Sequence, residues 1–217
     1  MSITPQELLE EIVKAQTDYA TIIRKTLSLP RYHMAVKQGI LNPQDYFNEI
    51  VRESDLEHIG HLPLLATMIH PHLENRDKVD LGQALLYLAL HEAPERIVGD
   101  VLHEDKNQDY HDSELAAARE LYSGHYHHYF EFYEDFHFIR NFSARFAHSI
   151  DRLAATVYYE LHHPQTRIPR WQELGLTVEK IKNTKKDMVW DKTLEDLFDH
   201  IVAEIDRQNS EYSKKNN

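Results

Sequence analysis

The stretch from residue 84 to residue 100 reads ALLYLALHEAPERIVGD and decides the architecture that we expect for the chain. Its first part, Ala84 to Leu90, is apolar with no polar interruption on either face, which predicts a buried α-helix. That helix leads directly into His91 and Glu92, two polar side chains that are costly to bury without a partner. Because a metal ion is one good partner, the stretch favours a metal site at the end of a core helix.

The segment after this helix is rich in acids. Pro94 and Gly99 interrupt the helical pattern, and Glu95 and Asp100 follow Glu92 closely in sequence. A His-Glu pair at a helix end is, when it stands alone, more often a capped surface turn than a ligand site. The metal interpretation therefore depends on partners elsewhere in the chain.

Composition narrows the class of protein. The chain has 217 residues, with Lys+Arg 24 against Asp+Glu 36 and a net charge of -12, which argues against a nucleic-acid polymer as partner because phosphate contacts need Lys and Arg. It contains no cysteine, which excludes disulfides, thiolate nucleophiles and cysteine-based zinc sites. The beginning of the chain has no signal-peptide pattern, and no apolar run approaches the roughly 20 residues of a membrane helix. We expect a soluble, cytoplasmic protein with no membrane partner.

Helical periodicity and capping signals recur along the chain, whereas no convincing strand pattern and no internal repeat are found. Asp80 is the expected N-cap of the apolar helix, and the segment 100–110 is expected to be a polar surface loop. The predicted helices cover residues 4–27, 44–52, 54–70, 81–93, 113–122, 128–162 with a division near Asn141, and 193–205, followed by a frayed polar tail at 209–217. The pattern predicts one all-α domain over residues 1–217.

Three of the predicted helices carry polar side chains that can converge on one ion. His58 lies on the first of these helices, His91 and Glu92 end the second, and Asp151 lies beside the apolar stripe of the third. Ligands from separate packed helices meet in this way inside helical bundles. Two imidazoles and two carboxylates suit one first-row divalent ion, namely Mn, Fe, Co, Ni or Zn.

The other histidines are interpreted as supporting or packing groups. His61, one helical turn after His58, is expected to be a neighbour of the site and not a ligand. His137 and His148 are expected to be hydrogen-bonded histidines of the core or of a groove, and His125, His127 and His128 belong to an aromatic packing cluster. If this aromatic cluster, residues 126–136, is exposed, it is a candidate face for a homodimer.

This order of residues resembles that of the HD-domain metal-dependent phosphohydrolases, nearest the bacterial 5′-deoxynucleotidase branch. The segments that carry the resemblance are Glu57-His58 for the first-ligand motif, HEAPE at 91–95 for His-Asp-x-x-Glu, IVGD at 97–100 for the Gly-Asp segment, and HSIDRL at 148–153 for the last-ligand segment. The resemblance covers about residues 27–161, with helical extensions on both sides. Glu92 stands where the family has Asp, so its carboxylate is one methylene further from the backbone.

The resemblance implies an HD-type helical bundle with a single divalent metal ion. The implied metal ligands are His58, His91, Glu92 and Asp151. Glu95 is the implied catalytic acid and base, supported by Asp100, and Arg31 is the implied contact to the substrate phosphate, because a guanidinium offers a planar bidentate fork.

The implied function is a phosphomonoesterase acting on a nucleotide or a similar small phosphorylated metabolite. Two alternatives stay open. One is a metal-binding helical protein with weak or no turnover, which Glu92 in place of Asp allows. The other is a phosphodiesterase or a nucleotide-triphosphate hydrolase.

Overall fold

The computed structural model describes residues 4–10, 12, 14, 55–98, 107–123, 127–160, 168 and 177–216. These residues form α-helices, short 3-10 helices and turns, and contain no strand, so the all-α prediction is confirmed. In this part of the chain, no helix combines the length and the apolar character needed to cross a membrane.

Eight α-helices account for most of the described residues. They are α1 Asp55–Ile69, α2 Leu81–Leu90, α3 Glu95–Val98, α4 Gln108–Leu121, α5 His127–His137, α6 Phe142–Glu160, α7 Val178–Lys182 and α8 Lys192–Asn216. Short 3-10 helices lie at His70–His72, Arg76–Lys78 and Asn183–Asp187. Residues 5–10 are also helical.

The core lies where α1, α2 and α6 pack against one another. Its fully buried side chains include Leu62, Tyr87, Leu88, Ile150 and Leu153. Helix α5 packs against α2 and α6, and α8 packs against α6. A second, smaller apolar cluster forms where α4 meets α5, with Ala118, Tyr122, Phe130 and Tyr133 at its centre. Packing in this core therefore fixes the positions of α1, α2 and α6 relative to one another.

Helix α2 begins as predicted and is buried on one side. Its N-cap Asp80 accepts a hydrogen bond from the backbone N–H of Gln83 at 3.0 Å. Tyr87 is fully buried, but Leu86 is 41% exposed, so the expectation of burial on both faces was wrong. An uninterrupted apolar run does not specify which face will be covered, and packing against α1, α5 and α6 covers one. The helix ends at Leu90, three residues earlier than predicted.

The predicted division near Asn141 is confirmed. Ile139 adopts a positive φ of 50°, which is uncommon for a β-branched residue and reverses the chain between α5 and α6. The Asn141 side chain accepts a hydrogen bond from the backbone N–H of Ala144 at 2.8 Å and donates one to the Tyr87 hydroxyl at 2.9 Å. This cap ties the start of α6 to α2.

Two polar segments predicted to lack structure are helical. Residues 108–110, expected in a loop, form the start of α4 behind an N-cap at Asn107. Within the expected frayed tail, residues 209–216 are instead the last part of α8. There Arg207 pairs with Glu204 and Glu211, one turn away on each side. Such i,i+3 and i,i+4 pairs stabilise helices that have few apolar residues, which the apolar pattern alone does not detect.

Candidate metal centre

The four predicted ligands meet where three elements of the core converge. His58 lies on α1, Asp151 lies on α6, and His91 and Glu92 occupy the turn that follows α2. One nitrogen or oxygen atom from each of the four side chains lies within 4.8 Å of the others. The structure thus brings together residues that are up to 93 positions apart in sequence.

Each imidazole faces both carboxylates. His58 Nε2 lies 3.0 Å from Asp151 Oδ1 and 3.7 Å from Glu92 Oε1. His91 Nε2 lies 2.9 Å from Glu92 Oε1 and 3.5 Å from Asp151 Oδ1. The longer side chain of Glu92 therefore reaches the cluster.

The cluster is nearly closed to solvent. The exposed fractions of its side chains are 15% for His58 and Glu92, 14% for Asp151 and 6% for His91. Ionised carboxylates at this depth need compensating positive charge or hydrogen bonds.

The orientation of His91 fits a metal ligand. Its Nδ1 donates a hydrogen bond to the backbone carbonyl of Leu88 at 2.9 Å, which turns Nε2 towards the carboxylates. Nε2 is buried and has no hydrogen-bond partner, although Glu92 Oε1 is close. Metal-binding histidines typically fix their second ring nitrogen in this way. A divalent ion would satisfy the remaining nitrogen, and the donor set of two imidazoles and two carboxylates suits a first-row metal.

The charges of the cluster are strongly coupled. Burial disfavours the imidazolium form of His91, but the nearby carboxylates of Asp151 and Glu92 outweigh this effect and raise the pKa of His91 to about 9. Burial opposes the charge on Glu92, yet His91 lowers the pKa of Glu92 to about 2. Burial also opposes the charge on Asp151, and His58 and His91 hold the pKa of Asp151 well below its usual range. Both acids are therefore ionised and available as ligands.

The His91 ring packs against the Phe136 ring, which is itself stacked on the His148 ring. The Phe136 ring lies 5.1 Å from the His91 ring and stacks on the His148 ring at 4.0 Å and 7°. His148 Nε2 donates to the Phe136 carbonyl at 2.8 Å. Burial lowers the pKa of His148 to about 4, so this histidine is neutral near pH 7. The prediction of a hydrogen-bonded core histidine at this position is confirmed.

Glu95 lies beside the ligands at the start of α3. It is only 7% exposed, and its side chain forms a hydrogen bond with that of Glu92 that favours the charged form of Glu92. Arg31 and Asp100 lie outside the described residues, so their predicted roles stay predictions. His61 is buried at 2% exposure, and its supporting role also stays a prediction.

Arg152 is a neighbour of the site to which the sequence pattern gave no role. Its Nη1 lies 3.8 Å from Asp151 Oδ2, and its charge helps to lower the pKa of Asp151. Its Nε is buried and has no hydrogen-bond partner. Sequence adjacency to Asp151 was the available signal, but adjacency does not reveal which way an arginine points.

The aromatic cluster of α5 is turned inwards. Phe130, Tyr133 and Phe136 are 9%, 3% and 7% exposed and belong to the chain's own core. The reason given for a homodimer face, an exposed aromatic patch, therefore fails for these three side chains. The homodimer itself stays a prediction.

Sequence reasoning also missed that His137 lies beside His111 and Glu114 in a second group of ligand-type side chains.

Comparison with known proteins places this geometry in a family. The HD domain profile matches residues 45–197. The fold is similar to the crystal structure of a predicted metal-dependent phosphohydrolase from Magnetospirillum magnetotacticum MS-1, with a TM-score of 0.62 and 22% sequence identity over 71% of this chain and 79% of that chain. No curated protein matches the sequence. Because the profile match spans well over half of the chain and includes all four clustered side chains, the chain belongs to the HD domain family.

Proposed function

We propose that the protein is a metal-dependent phosphohydrolase, and more narrowly a phosphomonoesterase that acts on a nucleotide or a similar small phosphorylated metabolite. The observation that carries this proposal is the convergence of four ligand-type side chains with a fifth buried acid, Glu95, beside them. Membership of the HD domain family, and the similarity of the fold to that of a predicted metal-dependent phosphohydrolase, agree with metal-dependent hydrolysis of a phosphate ester.

His58, His91, Glu92 and Asp151 are the residues that would hold one divalent ion. A bound ion of this kind supplies Lewis acidity, since it lowers the pKa of water and polarises a phosphoryl oxygen. The protein's own part is to keep the ligands rigid. Leu88 and Phe136 fix the His91 ring, and Arg152 lies against Asp151.

Glu95 is the group best placed to move protons in this reaction. Hydrolysis of a phosphomonoester adds water to phosphorus and breaks the bond to the leaving oxygen, so a proton leaves the water and another reaches the leaving group. In its hydrogen bond to the ionised Glu92 side chain, the buried Glu95 carboxyl carries the proton, which it can donate to the leaving oxygen, and the carboxylate that results can take up the proton released by the water. A protein that only binds metal has no need of this second acid, which favours the enzyme over the non-catalytic alternative.

The size and charge of the site favour a small substrate. The exposed fraction of every ligand side chain is 15% or less, which favours a small reacting group over a large one. The net charge of -12 disfavours a long phosphate polymer. In the proposed function, Arg31 contacts the substrate phosphate and Asp100 supports Glu95, as in the 5′-deoxynucleotidase branch that the sequence resembles.

A screen that measures both orthophosphate release and, by chromatography, the nucleotide products tests the proposal. The protein is stripped with chelator, dialysed, reloaded separately with Mn, Co, Ni, Fe and Zn, and given nucleoside monophosphates, nucleoside triphosphates, cyclic nucleotides and sugar phosphates. We expect orthophosphate from monophosphates, and none from protein with His91→Gln, which lacks a ligand nitrogen. Flat activity across all substrates, with metal bound to the wild-type protein, would overturn the enzyme proposal. Turnover restricted to cyclic nucleotides or triphosphates would overturn the phosphomonoesterase assignment in favour of the diesterase or triphosphatase.

A further inference from the structure

A second group of ligand-type side chains lies between α4 and α5. His111 and Glu114 are one turn apart on α4, and His137 is the last residue of α5. A ring nitrogen of each histidine and a carboxylate oxygen of Glu114 all lie within 4.8 Å of one another. His111 Nδ1 is 3.2 Å from Glu114 Oε2, and the rings of His111 and His137 are 5.6 Å apart at 74°. Two helices thus present three donor atoms to one small volume.

The carboxylate of this group is deeply placed. Glu114 is 6% exposed, whereas the side chain of His111 is 38% exposed. A buried acid with two imidazoles around it has its charge compensated either by a protonated histidine or by a cation. Because the side chain of His111 is partly exposed, the group is in contact with solvent at one of its members.

We propose that His111, Glu114 and His137 form a second binding site for a first-row divalent cation, in the class of Zn, Co or Ni. Two imidazole nitrogens and one carboxylate oxygen are ligands that these ions accept, and water fills the remaining coordination positions. Because the ligands come from two helices, a bound ion joins the end of α5 to α4.

The second site shares no ligand with the candidate metal centre. The two are adjacent, because His137 follows Phe136, whose ring contacts His91. The Tyr133 ring lies 5.7 Å from the His137 ring and is buried. An ion at the second site therefore restrains the helix that supports His91. This inference does not depend on the proposed function, since ion binding at this position requires no turnover.

The test is a count of bound ions per chain. Full-length protein is stripped with chelator, dialysed against excess Co or Zn, freed of unbound metal and measured by elemental analysis, with the Co absorption spectrum as a second readout. We expect two ions per wild-type chain. We expect one in Glu114→Gln and one in His111→Gln, because each removes a ligand of the second site only. We also expect one in His91→Gln, because that change affects only the first site.

His127→Gln is the matched control, since His127 is an exposed histidine of α5 outside both groups. It should keep two ions. If Glu114→Gln fails to fold, as judged by circular dichroism, His111→Gln decides the question because its side chain is partly exposed. One ion per wild-type chain, or two ions that persist in both Glu114→Gln and His111→Gln, would overturn the second site.

Discussion

His91 and Glu92 are consecutive residues, and yet His91 Nε2 lies 2.9 Å from Glu92 Oε1. In a regular α-helix, neighbouring side chains point about 100° apart, so they do not meet. His91 is the C-cap of α2 and keeps a helical backbone, with φ -65° and ψ -34°, and Glu92 lies in the turn that follows. The contact between these two neighbours therefore depends on the reach of the Glu92 side chain.

Shortening Glu92 should weaken metal binding. In Glu92→Asp the carboxylate withdraws by about 1.5 Å, one carbon–carbon bond, from the position where it faces His91 and His58. We expect lower metal affinity by calorimetric titration, and a larger loss in Glu92→Gln, because a neutral amide is a poorer ligand than a carboxylate. Tighter binding by Glu92→Asp would show that the cluster closes around the shorter acid more readily than its geometry indicates.

Glu95→Gln should separate catalysis from metal binding. The substitution keeps the size of the side chain and removes its ability to exchange a proton, so metal content should stay at the wild-type level. We expect kcat to fall by about 100- to 10,000-fold, the range typical of general acid–base catalysis. Glu131→Gln, which alters an exposed acid of α5, should leave kcat unchanged. If Glu95→Gln retains near wild-type kcat with full metal content, Asp100 becomes the candidate acid and base.

His148 should make the fold sensitive to mild acid. Its pKa is about 4 in the folded state against 6.5 for the ordinary group, so the unfolded chain takes up the proton first as the pH falls. His148 does not affect the free energy of unfolding above pH 6.5, and it lowers this free energy progressively as the pH falls from 6.5 to 4. Below pH 4 the lowering reaches its full value of roughly 3 kcal/mol.

Urea unfolding of chelator-treated protein at several pH values measures this effect. His148→Gln retains a donor for the Phe136 carbonyl but does not titrate in this window. The decline in unfolding free energy between pH 7 and pH 5 should therefore be smaller in His148→Gln than in wild type. Parallel declines in the two proteins would mean that His148 is not the group responsible.

Asn141→Ala should destabilise the junction of α5 and α6. The substitution removes the acceptor for the Ala144 N–H and the donor to the Tyr87 hydroxyl. Loss of an N-cap costs about 1 kcal/mol, and a lost hydrogen bond at a partly buried hydroxyl adds a similar amount. Asn141→Asp keeps a capping oxygen and should lose less unfolding free energy in urea titrations. Equal losses in the two variants would show that the cap contributes nothing.

Features set by local sequence could be predicted, and so could much of the candidate site. The Asp80 cap and the break before Asn141 depend on residues within a few positions of each other, which a sequence shows directly. His58, His91 and Asp151 could be grouped because each lies at a defined place on a periodic helix and because their order resembles a known family. The sequence alone could not give the distances among them.

Features set by packing could not be predicted. The group of His111, Glu114 and His137 exists because α4 lies against α5, and no periodic signal links position 137 to position 111. The exposure of Leu86 likewise depends on which face of α2 is covered by other helices. The C-terminal part of α8 is stabilised by ion pairs of Arg207 with Glu204 and Glu211, and a search for apolar periodicity does not detect such pairs.

The separation of 93 positions between His58 and Asp151 has a thermodynamic consequence for a chain that has no cysteine. An ion held by both residues closes a loop of that length, much as a disulfide does, and thereby restricts the unfolded chain. In the loop-entropy picture, a covalent cross-link of this span is worth about 4.7 kcal/mol. An ion bound by both side chains would thus act as a reversible staple between α1 and α6, one that chelator opens and metal closes again.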